Sequence, residues 1–564
     1  MEYYLKNDPK ERKIAYFSLE IGLSPEVPTY SGGLGILAGD TIKSFADLNL
    51  PCVAVTLLYE KGYFHQEIDE QGNQKEVPVN WDKSKHMRLL PNKVNVRLEG
   101  RDIMLQAWVY EVKGIKGSIV PVIFLDSNIE ANNEGDRSLT SYLYGGDRRY
   151  RLMQEALLGI GGPRMLRSIG HDNLVKFHMN EGHAALLTLE LMNRFKNDLE
   201  EVREACVFTT HTPVPAGHDS FEIDLARSVL RDFCNVDDLN HDNIIDHENK
   251  FNMTYLALHH ANYVNGVAKK HGEVSRKMFP GYSIESITNG VHAGTWVSEP
   301  FAKLFDNYIK AWKTDNYNLR YALNMPSDKI WETHQAAKKR LIEFVNQRKG
   351  TKFKEDILTI GFARRAATYK RADLIFRDIK RLLKIHEKAG KFHIIFAGKA
   401  HPADGGGKDL IKKIHEDIKE LKGKIEIVYL ENYEMFLGGL LTSGVDVWLN
   451  NPMRPREASG TSGMKAAMNG VPSFSVLDGW WLEGHVEEMT GWSIGPRPTD
   501  VEAEVDESKD IEDLYEKLEK KIIPCYYRNP DKWKQIMKYS IAFNGSFFNT
   551  QRMVSQYVMN AYFK

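Results

Sequence analysis

Residues 456–470, REASGTSGMKAAMNG, put one carboxylate, a run of small residues and one lysine into a single short stretch. Glu457 leads, residues 458–463 are small, and Lys465 opens a helical pattern. Small hydroxyl and glycine residues let backbone N–H groups close on an anion, and a helix start adds the positive end of its dipole. A lysine just beyond such a nest can carry a covalently attached, phosphorylated cofactor. The same letters also fit a glycine-rich helix start with a solvated lysine, and short motifs match often by chance. A second concentration of chemistry lies at residues 363–371, where Arg364, Arg365, Lys370 and Arg371 place four cations within eight positions at a strand end. Arginine grips phosphate bidentately and lysine adds a point charge, so the mouth of a sheet lined this way fits an anion; elsewhere it is a solvated basic patch.

These groups need elements to position them. The chain opens with a strand pattern at 14–19, passes through the turn Ser31-Gly32-Gly33-Leu34-Gly35, and enters a helical pattern at 36–48. Backbone amides there can face a phosphate. Short alternating runs over about 75–125 predict an antiparallel insertion. Three strand-to-loop junctions follow, at Asn180-Glu181-Gly182-His183, Thr210-His211-Thr212-Pro213 and Thr288-Asn289-Gly290-Val291-His292. The carboxyl ends of parallel strands border the ligand crevice, so three such loops point to a site although any one histidine is more often structural.

After a helical connection over about 297–350, strand and helix patterns alternate. Strands are expected at 357–362, 393–397, 425–430, 445–449 and 472–477, and helices at 371–388, 408–422, 433–441 and around Lys465. Such alternation builds a doubly wound parallel sheet. The expected organisation is a first domain over 1–297, a connection plus second domain over 298–530, and C-terminal helices over 531–564 that pack back on the first.

Composition narrows the function. With 564 residues and 42% hydrophobic content the chain exceeds one core but can fill two. A net charge of −1 gives no global field for nucleic acid or an anionic membrane, so an anion site must be local. No apolar run spans a bilayer, and the four cysteines have no metal-ligand spacing. A soluble, cytoplasmic protein without a metal site is expected, with a homo-oligomer as the expected assembly. There is no Walker loop, no GxSxG and no HExxH. Glycoside cleavage by protein groups alone would call for two carboxylates flanking the bond, and Glu457 has no evident partner.

In combination, SGGLG, NEGH, THTP, TNGVHAGTW, RRAATYK, GKAHP, LENY and EASGTSGMK run in order through most of the chain, which resembles the α-glucan phosphorylases. EASGTSGMK is the most specific of these; SGGLG is shared with NDP-sugar glycosyltransferases. The resemblance implies two Rossmann-like domains facing across a cleft, the GT-B type of fold. It also implies pyridoxal 5'-phosphate as cofactor and the reversible, retaining phosphorolysis of α-1,4-glucan (glycogen, starch or maltodextrin) with inorganic phosphate to glucose 1-phosphate.

By that resemblance Lys465 matches the lysine forming the Schiff base. Thr461, Ser462 and Arg364 match the holders of the cofactor phosphate, and Tyr433 and Trp296 match residues around its ring. Arg365, Lys370 and the Gly33 amide, with Leu34 beside it, match the substrate-phosphate pocket. Glu457, Ser459, Gly460, Tyr369, Asn289 and His211 match contacts to the reacting glucose. The chain begins close to its first strand, so a short, lightly regulated form is expected. The competing reading is a glycogen-synthase-like glycosyltransferase using an NDP-glucose donor, which would not need an aldehyde-reactive lysine; a catalytically inactive glucan-binding protein is the third.

Overall fold

The computed structural model describes residues 8–240, 243–498 and 506–563, so the first seven residues and Lys564, which the expected domain limits include, lie outside it. In the first half, continuous apolar runs form the central strands β1 (Ile14–Phe17) and β2 (Cys52–Leu57), buried along their whole length. Strands covered on both faces lose the alternation of half-exposed ones, which is why these read as uninterrupted hydrophobic stretches. Alternation returns in β3 (Arg88–Leu98) and β4 (Arg101–Lys113), a hairpin running on into β5 (Ile119–Asp126). Four more strands follow, β6 (Lys176–Asn180), β7 (Cys206–Thr209), β8 (Tyr263–Gly266) and β9 (Glu285–Ser286).

These nine strands form one sheet in the order β9-β8-β7-β6-β1-β2-β5-β4-β3. The antiparallel hairpin therefore extends the main sheet, because β5 pairs in parallel with β2 and β4 adds antiparallel to its other side. The strand leading into the Thr288–His292 loop is only the two-residue β9, paired with the end of β8.

The second half carries a six-stranded parallel sheet. Its members are β10 (Leu358–Ala363), β11 (Phe392–Ala397), β12 (Ile427–Leu430), β13 (Val447–Asn450), β14 (Ser473–Val476) and β15 (Gly491–Ile494), in the order β12-β11-β10-β13-β14-β15. This is the dinucleotide-binding strand order, and it reverses direction between β10 and β13. In the first sheet the reversal falls between β1 and β6. The helix expected over 371–388 begins only at Ile379. Arg371 adopts a left-handed backbone (φ 49°) and its guanidinium is tied to the Asn451 and Pro452 carbonyls and to Asp510, which breaks the segment. Asp378 then caps helix Ile379–Lys388 by accepting from the Arg381 amide.

The connecting helix Ser327–Lys349 is bolted to this sheet by a buried ion cluster. Lys338 Nζ donates to Asp446 Oδ2 at 2.5 Å and to the Ile357 carbonyl at 2.7 Å, while His334 pairs with Asp446 Oδ1 at 2.9 Å. Removing one member strands a charge in the core, so Lys338→Met is expected to cost about 3–5 kcal/mol, read as an earlier denaturant midpoint; an unchanged midpoint would exclude this cluster as a brace.

The last helices return to the first sheet. Tyr562 pairs with His178 of β6 at 2.6 Å, Tyr557 with Thr209 of β7 at 3.1 Å, and Thr550 with Ser44 at 2.6 Å. At the crossing, Val291 and Thr550 exchange backbone bonds with Phe548 and Val291 respectively. Gly290 allows it: a Cβ there would lie 2.2 Å from the Asn549 backbone.

Candidate active site at the facing sheet ends

Both reversals in strand order open onto the same cleft, and the chemistry-bearing loops follow the strands that flank them. The glycine turn follows β1, and the Asn180–His183 loop follows β6. The Arg364–Lys370 loop follows β10, and the Glu457–Lys465 segment follows β13. Open α/β sheets bind ligands at these points because two adjacent loops there diverge to opposite faces.

Helix α1 (Gly33–Asp47) starts at the glycine turn. Glu20 takes up part of that turn: its Oε2 accepts from the Ser31 amide at 2.5 Å and the Gly32 amide at 3.3 Å, and its Oε1 from the Tyr144 hydroxyl at 2.8 Å. The turn is thus not wholly free for an anion, and what borders open space are Gly32 and Gly33, where a Cβ would meet nothing within 4 Å. Leu34 is half-buried behind them. Sequence reasoning missed Glu20; an acid three positions after an apolar β1 was the available signal.

The four cations of the second sheet divide their labour. Arg371 is structural. Arg364 Nη2 and Lys370 Nζ both donate to Glu457 Oε2, at 2.5 and 2.6 Å. Burial alone would raise the Glu457 carboxyl, but Arg364 and Lys370 hold it at about 2. Lys370 also sits 4.5 Å above the Tyr369 ring. Arg364 keeps Nε and Nη1 buried without a partner, and the burial-raised phenol of Tyr433 faces it. Arg365 instead stands exposed in the cleft beside Tyr369, facing Tyr63 and Tyr144. Those two rings, with Phe64, Tyr142 and His401, line a recess of about 290 Å³.

Glu457 is held in place by a loop that sequence reading left without a role. Asp478 accepts from the Glu457 amide at 2.8 Å and from the Gly479 amide at 2.9 Å, and burial, with the Glu457 charge, lifts its carboxyl to about 7. Gly479 (φ 54°) is required, since a Cβ would lie 2.4 Å from the Ser459 carbonyl oxygen. The Ser459 hydroxyl is buried and unpartnered. Gly460, in a left-handed conformation (φ 89°), leads into helix α2 (Thr461–Met468), whose first amides have no side-chain cap. Ser462 accepts from the Trp448 indole at 3.1 Å.

Lys465 lies one turn into α2, buried, with Nζ 3.6 Å from the centre of the Trp296 ring. Burial pulls its ammonium down to about 8. Across the cleft, His211 pairs with Asn180 Oδ1 at 2.6 Å, and its amide donates to Glu181 at 2.7 Å. Burial and the neighbouring histidines lower its imidazole to about 3, so it is neutral. Asn289 leaves its side-chain oxygen buried and unpartnered, while its carbonyl accepts from Arg552. The structure thus gathers Arg364, Lys370, Tyr369 and Glu457 into one contact network. Lys465 and Trp296 form a second network along the same segment, and His211, Asn289 and Gly33 lie on the facing loops.

Two doubly wound sheets meeting across a cleft, with a basic loop at the switch point of the second, define an α/β enzyme of the GT-B type. Residues 25–130 and 168–518 match the carbohydrate phosphorylase family. The maltodextrin phosphorylase of Thermococcus litoralis is 40% identical across 100% of this chain and 72% of its own length. The glycogen phosphorylases of Aquifex aeolicus and Mycobacterium tuberculosis are 35% and 37% identical, covering 99% and 97% of this chain and 87% and 70% of theirs. The chain belongs to the carbohydrate phosphorylase family. Among the described residues no helix is long and apolar enough to cross a membrane.

Proposed function

We propose that the protein is a pyridoxal-phosphate-dependent α-1,4-glucan phosphorylase that transfers glucose reversibly, with retention, between a glucan end and inorganic phosphate. The observation that carries this reading is the pairing of unpartnered N–H donors, from Arg364 and the start of α2, with the buried amine of Lys465. Arg364 offers two unpartnered guanidinium nitrogens, the uncapped α2 start offers amides, and Lys465 stands one turn behind them. These residues fit pyridoxal phosphate: Lys465 would hold its aldehyde carbon, Arg364, Thr461 and Ser462 its phosphate, and Trp296 and Tyr433 its ring. When bound, the group supplies a second phosphate beside the substrate phosphate.

The remaining chemistry falls to the chain. Arg365, Lys370 and the Gly33 amide bind inorganic phosphate, whose hydroxyl gives its proton to the glycosidic oxygen. That C1–O bond breaks, the shortened glucan leaves with the proton, and a phosphate oxygen bonds to C1 on the same face. Cations held in a site that excludes water stabilise the oxocarbenium-like transition state by keeping that anion beneath it. Glu457, Ser459, Gly460, Asn289 and a neutral His211 orient the sugar hydroxyls, and the aromatic recess beside Arg365 offers ring faces to the rest of the glucan. Purified protein incubated with maltooligosaccharides of graded length and phosphate is expected to release glucose 1-phosphate only when phosphate is present. Borohydride reduction should leave a pyridoxyl label on Lys465; a chain that does neither, but transfers glucose from an NDP-glucose, would overturn the reading.

A further inference from the structure

Asp40 has no role in the reading above, yet it is among the most enclosed charges in the cleft wall. It lies about two turns into α1 from the glycine turn and is 1% exposed. Its Oδ2 accepts from the Trp296 indole N–H at 2.7 Å and from the His292 amide at 3.1 Å. Its Oδ1 is buried with no hydrogen-bond partner. The indole that Asp40 holds by its edge is the one whose face carries Lys465 Nζ.

A buried carboxylate with an open lone pair is costly unless a cation balances it. The neighbouring charges settle which one. His292 is already paired with Asp47 at 2.9 Å and with Thr295 at 2.8 Å. Lys43, one turn beyond Asp40 on α1, donates to Thr295 at 3.0 Å. Asp40 is left to face two ammonium groups, Lys43 on its own helix and Lys465 on α2.

We propose that Asp40 is a positioning residue, the counter-charge that keeps the nitrogen of Lys465 over the Trp296 ring. This rests on the reading of Lys465 as the cofactor lysine for its purpose, but not for its geometry. The carboxylate acts in two ways. Its hydrogen bond fixes the plane of the ring beneath the amine, and its charge offsets the burial that drives both lysines toward the neutral form, with Lys43 working against it at Lys465. In the loaded protein the same carboxylate would face the lysine nitrogen after it has joined the cofactor.

The test uses the full chain stripped of pyridoxal phosphate. Acetic anhydride labelling of Lys465 is followed against pH by peptide mass spectrometry, with exposed lysines as internal standards. Asp40→Asn keeps an acceptor for Trp296 and removes the charge. Its labelling midpoint is expected to fall by about one pH unit, giving roughly fivefold faster labelling at pH 7. Lys43→Met leaves Asp40 to Lys465 alone and should move the midpoint up, and it carries the test if Asp40→Asn does not fold. Midpoints that stay at the wild-type value in the folded variants would overturn the proposal, including a variant that merely melts earlier. Separately, visible absorbance after adding pyridoxal phosphate to wild-type protein tests the cofactor reading: no uptake together with shifted midpoints would sink that reading and leave the role of Asp40 standing.

Discussion

Lys465→Ala is expected to abolish covalent retention of pyridoxal phosphate and to lower phosphorolysis by about 10³-fold or more, on the scale of losing several positioned electrostatic contacts. The fold should survive. Lys465 is buried with its amine against the Trp296 face, and alanine is the best helix former for a position inside α2. Burial also pulls this ammonium down to about 8, so removing it relieves a desolvation cost as well as a contact. Visible absorbance of the purified variant, its circular dichroism and the release of glucose 1-phosphate together decide the matter. Full activity in a folded, cofactor-free variant would remove the basis of the proposed function.

Lys370→Ala should act on the other substrate. Its ammonium sits between Glu457 and the Tyr369 ring, at the place proposed for inorganic phosphate. The expected result is a fall of about 10²- to 10³-fold in kcat/KM for phosphate with a change of about threefold or less in the KM for glucan. Glu457 would keep its bond from Arg364, so its carboxyl would rise from about 2 while retaining a cationic partner. The Glu457 sugar contact is therefore spared in this variant, and Tyr369 loses only the cation over its ring. Equal losses for both substrates would count against separate phosphate and sugar roles in this loop.

The fold was readable because its central strands are covered on both faces and so appear as unbroken apolar runs separated by amphipathic helices. The two-sheet α/β architecture follows from that pattern, and the family match agrees with it. Where reading failed, a side chain acting at a distance was responsible. Nothing local marks Arg371 as a helix breaker; its partners Asn451, Pro452 and Asp510 are 80 to 139 positions away. The hairpin of β3 and β4 reads as a separate insertion because its register with the main sheet passes through β5, which lies beyond it. At the site, cations and small residues clustered in sequence were visible, whereas the roles of Glu20, Asp40 and Asp478 were not, since each is a lone acid, one in a helix and two in loops. Their significance lies in what they face: a glycine turn, an indole edge and the amide of Glu457.

The return of the last helices to the first sheet means that the polypeptide passes between the halves twice, once near Val291 and again near Asn549, and that the two passages are hydrogen-bonded to each other. Two tethers fastened side by side behave as a hinge pin. A swing that widened the cleft about this pin would have to release the bonds that Gln66 and Gln74 of the first half make to Gly398, Ala400 and Asn432 of the second. Asn289 and Gly290 lie on that pin, so the loop that carries a proposed sugar contact would move least in such a swing.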